Sequence, residues 1–250
     1  MHIFANWKMY LNLQESMEVA EGVAEFDLHE DTNLVIYPNP ISFCETYDAL
    51  EKTDIDLGAQ NVSWTPKGAY TGAISAHIFS EAGAKYALVG HSERRHIFGE
   101  SNEATKKKVK ACLEEGLTPV LCIGETKEDL NQGDKELVLG EQLAAVFGGL
   151  DLNADDIIIG YEPVWAISGS GEGESCSPVK AEATHAWIKE QTKNYVEGEV
   201  DVIYGGSVES SNVVSYTSSA NIDCVLVGHA SAQVEEFQSL ISAVESSYDK

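Results

Sequence analysis

The sequence predicts an α/β protein folded as a closed (β/α)8 barrel. Three observations lead there: eight short β-rich runs alternate strictly with longer amphipathic ones, the chain is 250 residues long, and no Pro-rich linker or low-complexity tract divides it. Strict alternation demands parallel strands joined by right-handed crossovers, and eight such units in this length suggest closure. Residues 1–250 are therefore expected to form one barrel domain. A doubly wound open sheet is the structural alternative, but no G-x-G-x-x-G follows the first strand to mark a dinucleotide site.

The elements follow in order. A strand over Ile3 to Trp7 precedes a helix over Gln14 to Phe26, and Leu34 to Tyr37 precedes Ile41 to Glu51. Strand Ile55 to Asn61 leads to a short helix at Ala76 to Ala82, and Tyr86 to Gly90 leads to Ser101 to Glu115. Pro119 to Gly124 precedes one long helix over Lys127 to Phe147. Ile157 to Glu162 precedes Pro178 to Val196, where Ser177 supplies a cap and Pro178 fits the first helical position. Val200 to Gly205 with Ser210 to Thr217, then Ile222 to Gly228 with Ser231 to Ser246, complete the set.

Barrels of this kind place their chemistry on the loops after the strand C-termini, so the polar residues there are the ones to inspect. They are Asn6 and Lys8, Gln60 and Asn61, the run His91-Ser92-Glu93-Arg94-Arg95, Glu125, Glu162, Gly205-Gly206-Ser207, and Gly228-His229. Glu162 ends a strand just before the glycine-rich run Ser168 to Gly173, where a general base can be held rigidly beside a loop that admits substrate. His91 could donate hydrogen bonds to a developing oxyanion, and Lys8 could supply fixed positive charge. Taken singly, each has a plainer explanation as a solvated or structural residue. The chain's two arginines, Arg94 and Arg95, are assigned first to structural ion pairs with nearby carboxylates. The glycines ending the last two strands either cradle a phosphate or simply make tight turns.

Composition narrows the function classes. A net charge of −25 argues against nucleic-acid or anionic-membrane partners, and it suits a strongly hydrated acidic surface. The one basic cluster, Lys106-Lys107-Lys108 with Lys110, is expected to be a solvated helix face. No apolar run reaches membrane-spanning length and no signal-peptide core follows Met1, so a soluble, cytoplasmic protein is expected. Five scattered cysteines without a Cys-x-x-Cys pair read as free thiols, with Cys122 in the core and Cys176 exposed.

The strings Ala5-Asn6-Trp7-Lys8, Gly58-Ala59-Gln60-Asn61-Val62, Gly68-Ala69-Tyr70-Thr71-Gly72, Gly90-His91-Ser92-Glu93-Arg94-Arg95, Pro119-Val120-Leu121-Cys122-Ile123-Gly124-Glu125, Tyr161-Glu162-Pro163-Val164-Trp165-Ala166-Ile167 and Tyr204-Gly205-Gly206-Ser207-Val208 occur in that order. On these the chain closely resembles the triosephosphate isomerase family over essentially its whole length. The resemblance implies interconversion of dihydroxyacetone phosphate and D-glyceraldehyde 3-phosphate through an enediolate, with no cofactor and no metal. It makes Glu162 the base, His91 the electrophile, and Asn6 and Lys8 the residues that position and electrostatically stabilise the substrate. Ser168, Gly169, Ser207, Gly228 and His229 fall where the family grips the phosphate, and residues 168–177 match its lid. A neutral imidazole in the His91 role is borrowed from this family, which is the standard example of it. A homodimer is implied, with Thr71 reaching the partner near Asn6.

Three departures stand out. The lid is longer by three residues and carries Glu174 where a hinge Lys is usual, which raises the ordering cost of closure. His229 replaces a glycine beside the phosphate, and its imidazole either adds a titrating charge there or points away. Ala73 stands where many relatives carry Glu, which removes an intersubunit ion pair with Arg94. The alternatives are another sugar-phosphate barrel, which leaves Asn6, Lys8, His91 and Glu162 unexplained together, and a catalytically silent scaffold.

Overall fold

The computed structural model describes residues 1–167 and 175–248. Eight strands, β1 (His2–Asn6), β2 (Asn33–Tyr37), β3 (Asp56–Ala59), β4 (Tyr86–Val89), β5 (Thr118–Ile123), β6 (Ile158–Tyr161), β7 (Val202–Tyr204) and β8 (Cys224–Val227), form a closed barrel in sequence order. Every pairing is parallel, and closure comes from β1 against β8, with Phe4 opposite Leu226 and Ala5 opposite Val227. All eight predicted strands are present, with ends displaced by one or two residues.

Strand residues are buried on both sides, as parallel strands covered by helices require. Phe4, Val35, Tyr37, Leu88, Val120, Cys122, Ile158, Ile203, Cys224 and Leu226 fill the barrel interior. Alternate residues such as Ile3, Ala5, Leu121 and Ile123 face the surrounding helices. The result is a packed plug beneath the mouth, so chemistry can occur only at the rim.

The helices are α1 (Leu13–Ala24), α2 (Phe43–Leu50), α3 (Ala76–Glu81), α4 (Ser92–His96), α5 (Asn102–Glu114), α6 (Lys127–Gln132), α7 (Lys135–Phe147), α8 (Pro178–Thr192), α9 (Val213–Thr217) and α10 (Val234–Glu245). Asn12 and Glu15 cap α1 reciprocally, and Ser177 with Pro178 starts α8 as its sequence predicts. The helix expected over Lys127 to Phe147 is instead two, because Gly133 adopts φ +84° and ends α6 in the left-handed conformation. The eighth helix starts later than expected, since His229–Ala232 is a separate 3-10 turn. No strand or helix was expected at α4, which is short and polar.

Two surface expectations are corrected. Cys176 is buried, because the Tyr216 hydroxyl donates to its carbonyl (2.7 Å) and draws the backbone inward before α8 begins. Lys108 is also buried, unlike Lys107 and Lys110 on the same helix. Its ammonium bonds Glu100 and Asn61 Oδ1 (2.6 Å), while Arg94 Nε reaches the same Glu100 oxygen at 2.9 Å. Arg94 thus makes the expected ion pair. Arg95 does not: its guanidinium donates to the carbonyls of Gly90 (2.6 Å) and Cys122 (3.2 Å) and to Asn102 Oδ1 (2.5 Å). No described helix is long and apolar enough to cross a membrane.

Candidate active site

The ends of β1, β4, β6, β7 and β8 surround a cavity of about 700 Å³ lined by Asn6, Lys8, His91, Glu162, Ser207 and Gly228, among others. His229 lines it too. Ser168 and Gly169 lie outside the described residues, as does most of the sequence-predicted lid.

Asn6 is the last residue of β1, and its Oδ1 accepts the Lys8 N–H at 3.0 Å. Lys8 is the one non-glycine among the described residues with positive φ (+50°), a conformation that costs free energy and persists only when its surroundings enforce it. The enforcement is visible. Gln60 Nε2 donates to the Lys8 carbonyl (2.8 Å) and the Tyr37 carbonyl (2.9 Å), tying the turn to β2. The Lys8 ammonium then projects to the rim, 2.8 Å from Glu93 Oε1.

His91 occupies the N-cap of α4 with its side chain turned back. The Glu93 N–H donates to His91 Nδ1 at 3.2 Å, which assigns the ring proton to Nε2, 2.9 Å from Glu162 Oε1. The short helix missed in the sequence is therefore what fixes the tautomer.

Glu162 follows β6 and is 2 % exposed. Burial alone would raise its pKa. The opposing effects of His91, the Ser92 N–H (2.9 Å to Oε2) and Lys8 outweigh it and hold the carboxyl below the usual carboxylate range. Its backbone is wedged between glycines: a Cβ at Gly124 would sit 1.8 Å from the Glu162 carbonyl oxygen, and one at Gly205 would sit 2.9 Å from Glu162 Cγ. Gly124 is pinned in turn by Gln142 on α7, whose amide accepts its N–H (2.9 Å) and donates to its carbonyl (3.0 Å). Gln142 carried no signal in the sequence beyond being a polar residue on an otherwise apolar helix face.

Glu125, at the end of β5, accepts from Trp165 Nε1 (2.9 Å) and the Tyr161 hydroxyl (3.1 Å) on Oε1, and its Oε2 is buried without a hydrogen-bond partner among the described residues. Burial pushes its pKa up. On the far side of the cavity the Ser207 N–H and hydroxyl both donate to the Ala166 carbonyl (3.1 and 2.9 Å), and the Ser210 N–H donates to Glu236 Oε1 (2.8 Å). The loop after β7 is thus tied to the segment after Glu162 and to α10. Among the described residues no cluster of three or more His, Cys, Asp or Glu side chains could hold a metal ion.

A buried carboxylate facing an imidazole donor, with a fixed cation at the C-terminal mouth of a parallel barrel, has the parts for proton transfer assisted by oxyanion stabilisation. Comparison with known proteins specifies the enzyme class. The family model described as triosephosphate isomerase matches residues 1–244. The triosephosphate isomerase of Aquifex aeolicus (strain VF5) is 39% identical over 243 residues, covering 96% of this chain and 97% of that protein. That of Roseiflexus sp. (strain RS-1) is 38% identical with 94% of each covered, and that of Picosynechococcus sp. (strain ATCC 27264 / PCC 7002 / PR-6) is 36% identical with 97% and 98% covered. The chain belongs to the triosephosphate isomerase family and is an isomerase.

Proposed function

We propose that this chain interconverts dihydroxyacetone phosphate and D-glyceraldehyde 3-phosphate, with residues 1–250 acting as one barrel domain. One observation carries the reading: side chains far apart in sequence, from β1, β4 and β6, line a single cavity with His91 Nε2 2.9 Å from Glu162 Oε1. Glu162 takes the proton from C1 of the ketose while the carbonyl electrons move onto O2, giving an enediolate. As that proton returns to C2, the O1 hydroxyl proton passes to O2 and C1–O1 becomes the carbonyl, which gives the aldose. His91 donates its Nε2 proton to the oxygens that gain charge, and Lys8 and Asn6 hold the substrate and stabilise that charge.

Before substrate enters, Glu162 is a weak base because His91 and the Ser92 N–H stabilise its charge. Substrate oxygens entering beside His91 Nε2 take over that donor and release the carboxylate at the moment it must act. The phosphate is held by N–H groups near Gly205-Gly206-Ser207 and Gly228-His229, together with Ser168 and Gly169. Capture draws the Ser207 N–H off the Ala166 carbonyl, so binding at β7 is felt directly after Glu162.

A homodimer is part of the reading. Met9, Ile41, Trp64, Tyr70 and Phe98 are exposed on the loops after β1, β2, β3 and β4, one continuous sector of the rim that a second copy would cover. Sedimentation showing a fully active monomer would remove that part. The catalytic assignment is tested in a coupled isomerase assay with Glu162→Gln. Turnover should fall about 10³-fold or more with the fold retained, and a fully active variant would overturn it.

A further inference from the structure

The parallel pairing of β5 with β6 ends at Ile123 opposite Tyr161, so Gly124 and Glu162 stand one step beyond the last paired residues. They still lie side by side. The Glu162 N–H donates to the Ile123 carbonyl (2.8 Å) and the Val164 N–H to the Glu125 carbonyl (3.1 Å), so residues 123–125 form the bed on which residues 162–164 rest. Gly124 is the middle of that bed. Its N–H and its carbonyl both go to one side chain, Gln142 on α7, at 2.9 and 3.0 Å. An amide that accepts and donates at once does for Gly124 what a further strand would do.

Gln142 is the one polar residue among the buried residues of α7, where Leu139, Leu143, Val146 and Phe147 are its company. Leucine would fill that place without desolvating an amide, so the polar group is explained by what it holds. It holds backbone against backbone. A Cβ at Gly124 would stand 1.8 Å from the Glu162 carbonyl oxygen, which leaves no side chain between the two to absorb a shift. The Glu162 carboxylate, one residue's reach away, sits 2.9 Å from His91 Nε2 and 2.9 Å from the Ser92 N–H, separations that a small backbone displacement would spoil. Gln142 itself does not line the cavity.

We propose that Gln142 is a positioning residue for proton transfer: through Gly124 it fixes the Glu162 backbone and so the place of the carboxylate against the substrate carbon. This rests on the isomerase reading for the role of Glu162. Proton transfer depends steeply on the placement of the base, whereas substrate is gripped by residues that Gln142 does not touch. Its loss therefore acts on kcat and spares KM.

The test is a coupled isomerase assay over about pH 5.5 to 8 on wild type, Gln142→Met, Gln142→Glu and Val146→Ala, with circular dichroism on each. Gln142→Met keeps the length and removes both bonds, so kcat should fall about 30-fold with KM within about twofold. Val146→Ala, one turn along the same buried face, should lower the melting temperature and leave kcat within about twofold of wild type. Gln142→Glu supplies the rescue, because a protonated carboxyl accepts and donates as the amide does and an ionised one only accepts. Its kcat relative to wild type should rise as pH is lowered. Wild-type kcat in Gln142→Met, a rise in KM in place of the fall in kcat, an equal kcat loss in Val146→Ala, or a Gln142→Glu ratio that stays flat toward acid would each overturn the proposal. Should Gln142→Met fail to fold, the Gln142→Glu ratio decides. Glu162→Gln in the same assay keeps the two readings apart. An inactive wild type sinks the isomerase reading, whereas a wild type silenced by Glu162→Gln but indifferent to Gln142→Met sinks only the positioning role.

Discussion

Two buried glutamates stand at the ends of neighbouring strands, and their environments push them in opposite directions. Glu125 after β5 accepts from the neutral donors Trp165 and Tyr161, and these together with its backbone contact and the charge of Lys135 do not offset burial, so its pKa rises. Glu162 after β6 is just as enclosed, but it meets an imidazole, a backbone N–H and a nearby lysine, and its pKa falls. Burial by itself therefore makes an acid. A buried base requires donors aimed at both oxygens. Placing the two side by side lets one barrel keep a carboxyl that favours its proton close to one that favours its charge.

The sharpest break of this contrast is the Glu162→Gln substitution above, the largest effect expected. Next is the buried carboxylate Glu100, held low despite burial by Lys108 and Arg94. Lys108→Met should cost about 1.5–3 kcal/mol in urea unfolding, because Glu100 loses a buried charged hydrogen bond and keeps only Arg94; a loss below about 1 kcal/mol would mean that Arg94 suffices.

His185 gives the cationic counterpart. It is fully buried, its Nδ1 bonds the Ala181 carbonyl at 2.7 Å, and burial lowers its pKa to about 4. The unfolded chain binds this proton near pH 6.5 and the native state does not. Stability should therefore fall by about 3 kcal/mol as pH drops from 6.5 to 4. His185→Asn should remove one proton's worth of that slope in denaturant titrations, and an unchanged slope would refute the assignment. Glu162 and Glu100 act in a lower window: their depressed values give stability that is complete above the unfolded carboxyl pKa and is lost as pH falls through the folded one.

A smaller change would move Glu162 toward the condition of Glu125. Ser92 is the first residue of α4, where proline is tolerated, and His91 before it has φ −50° and ψ 143°, which a following proline accepts. Ser92→Pro deletes the N–H that stabilises the carboxylate, so the acidic limb of the kcat/KM profile should rise by about one pH unit. A stationary limb would show that His91 and Lys8 suffice. The smallest effect is expected for Glu125→Gln. Its folded pKa is raised, so the native state favours the proton and loses stability as pH climbs through that value. Gln should match wild type within about 1 kcal/mol at pH 5 and gain on it toward pH 8.

Much of this was legible in the chain. Alternating apolar periods located all eight strands, and the catalytic candidates stood at their ends because a parallel barrel leaves nowhere else for them. Some features had no local signature. Lys107 and Lys108 are adjacent and chemically identical, yet one is exposed and the other bonds Glu100, a difference made by rotation about the helix axis and by Asn61 on the loop after β3. Gly133 sits in a run with helical periodicity on both sides, and only its φ shows the break. Cys176 follows a polar glycine-rich stretch that suggests solvent, but the Tyr216 hydroxyl 40 residues away turns it inward.

The sequence by itself determined the architecture and which polar groups stand at the strand ends, because hydrophobic period and residue type are local properties of a chain. Charge state, tautomer and orientation belonged to the tertiary structure. The proton on His91 depends on the Glu93 N–H, the acidity of Glu162 on the Ser92 N–H and Lys8, and the room for its backbone on Gly124. Those are distances between segments, and electrostatic energy depends on distance in space, which folding alone sets.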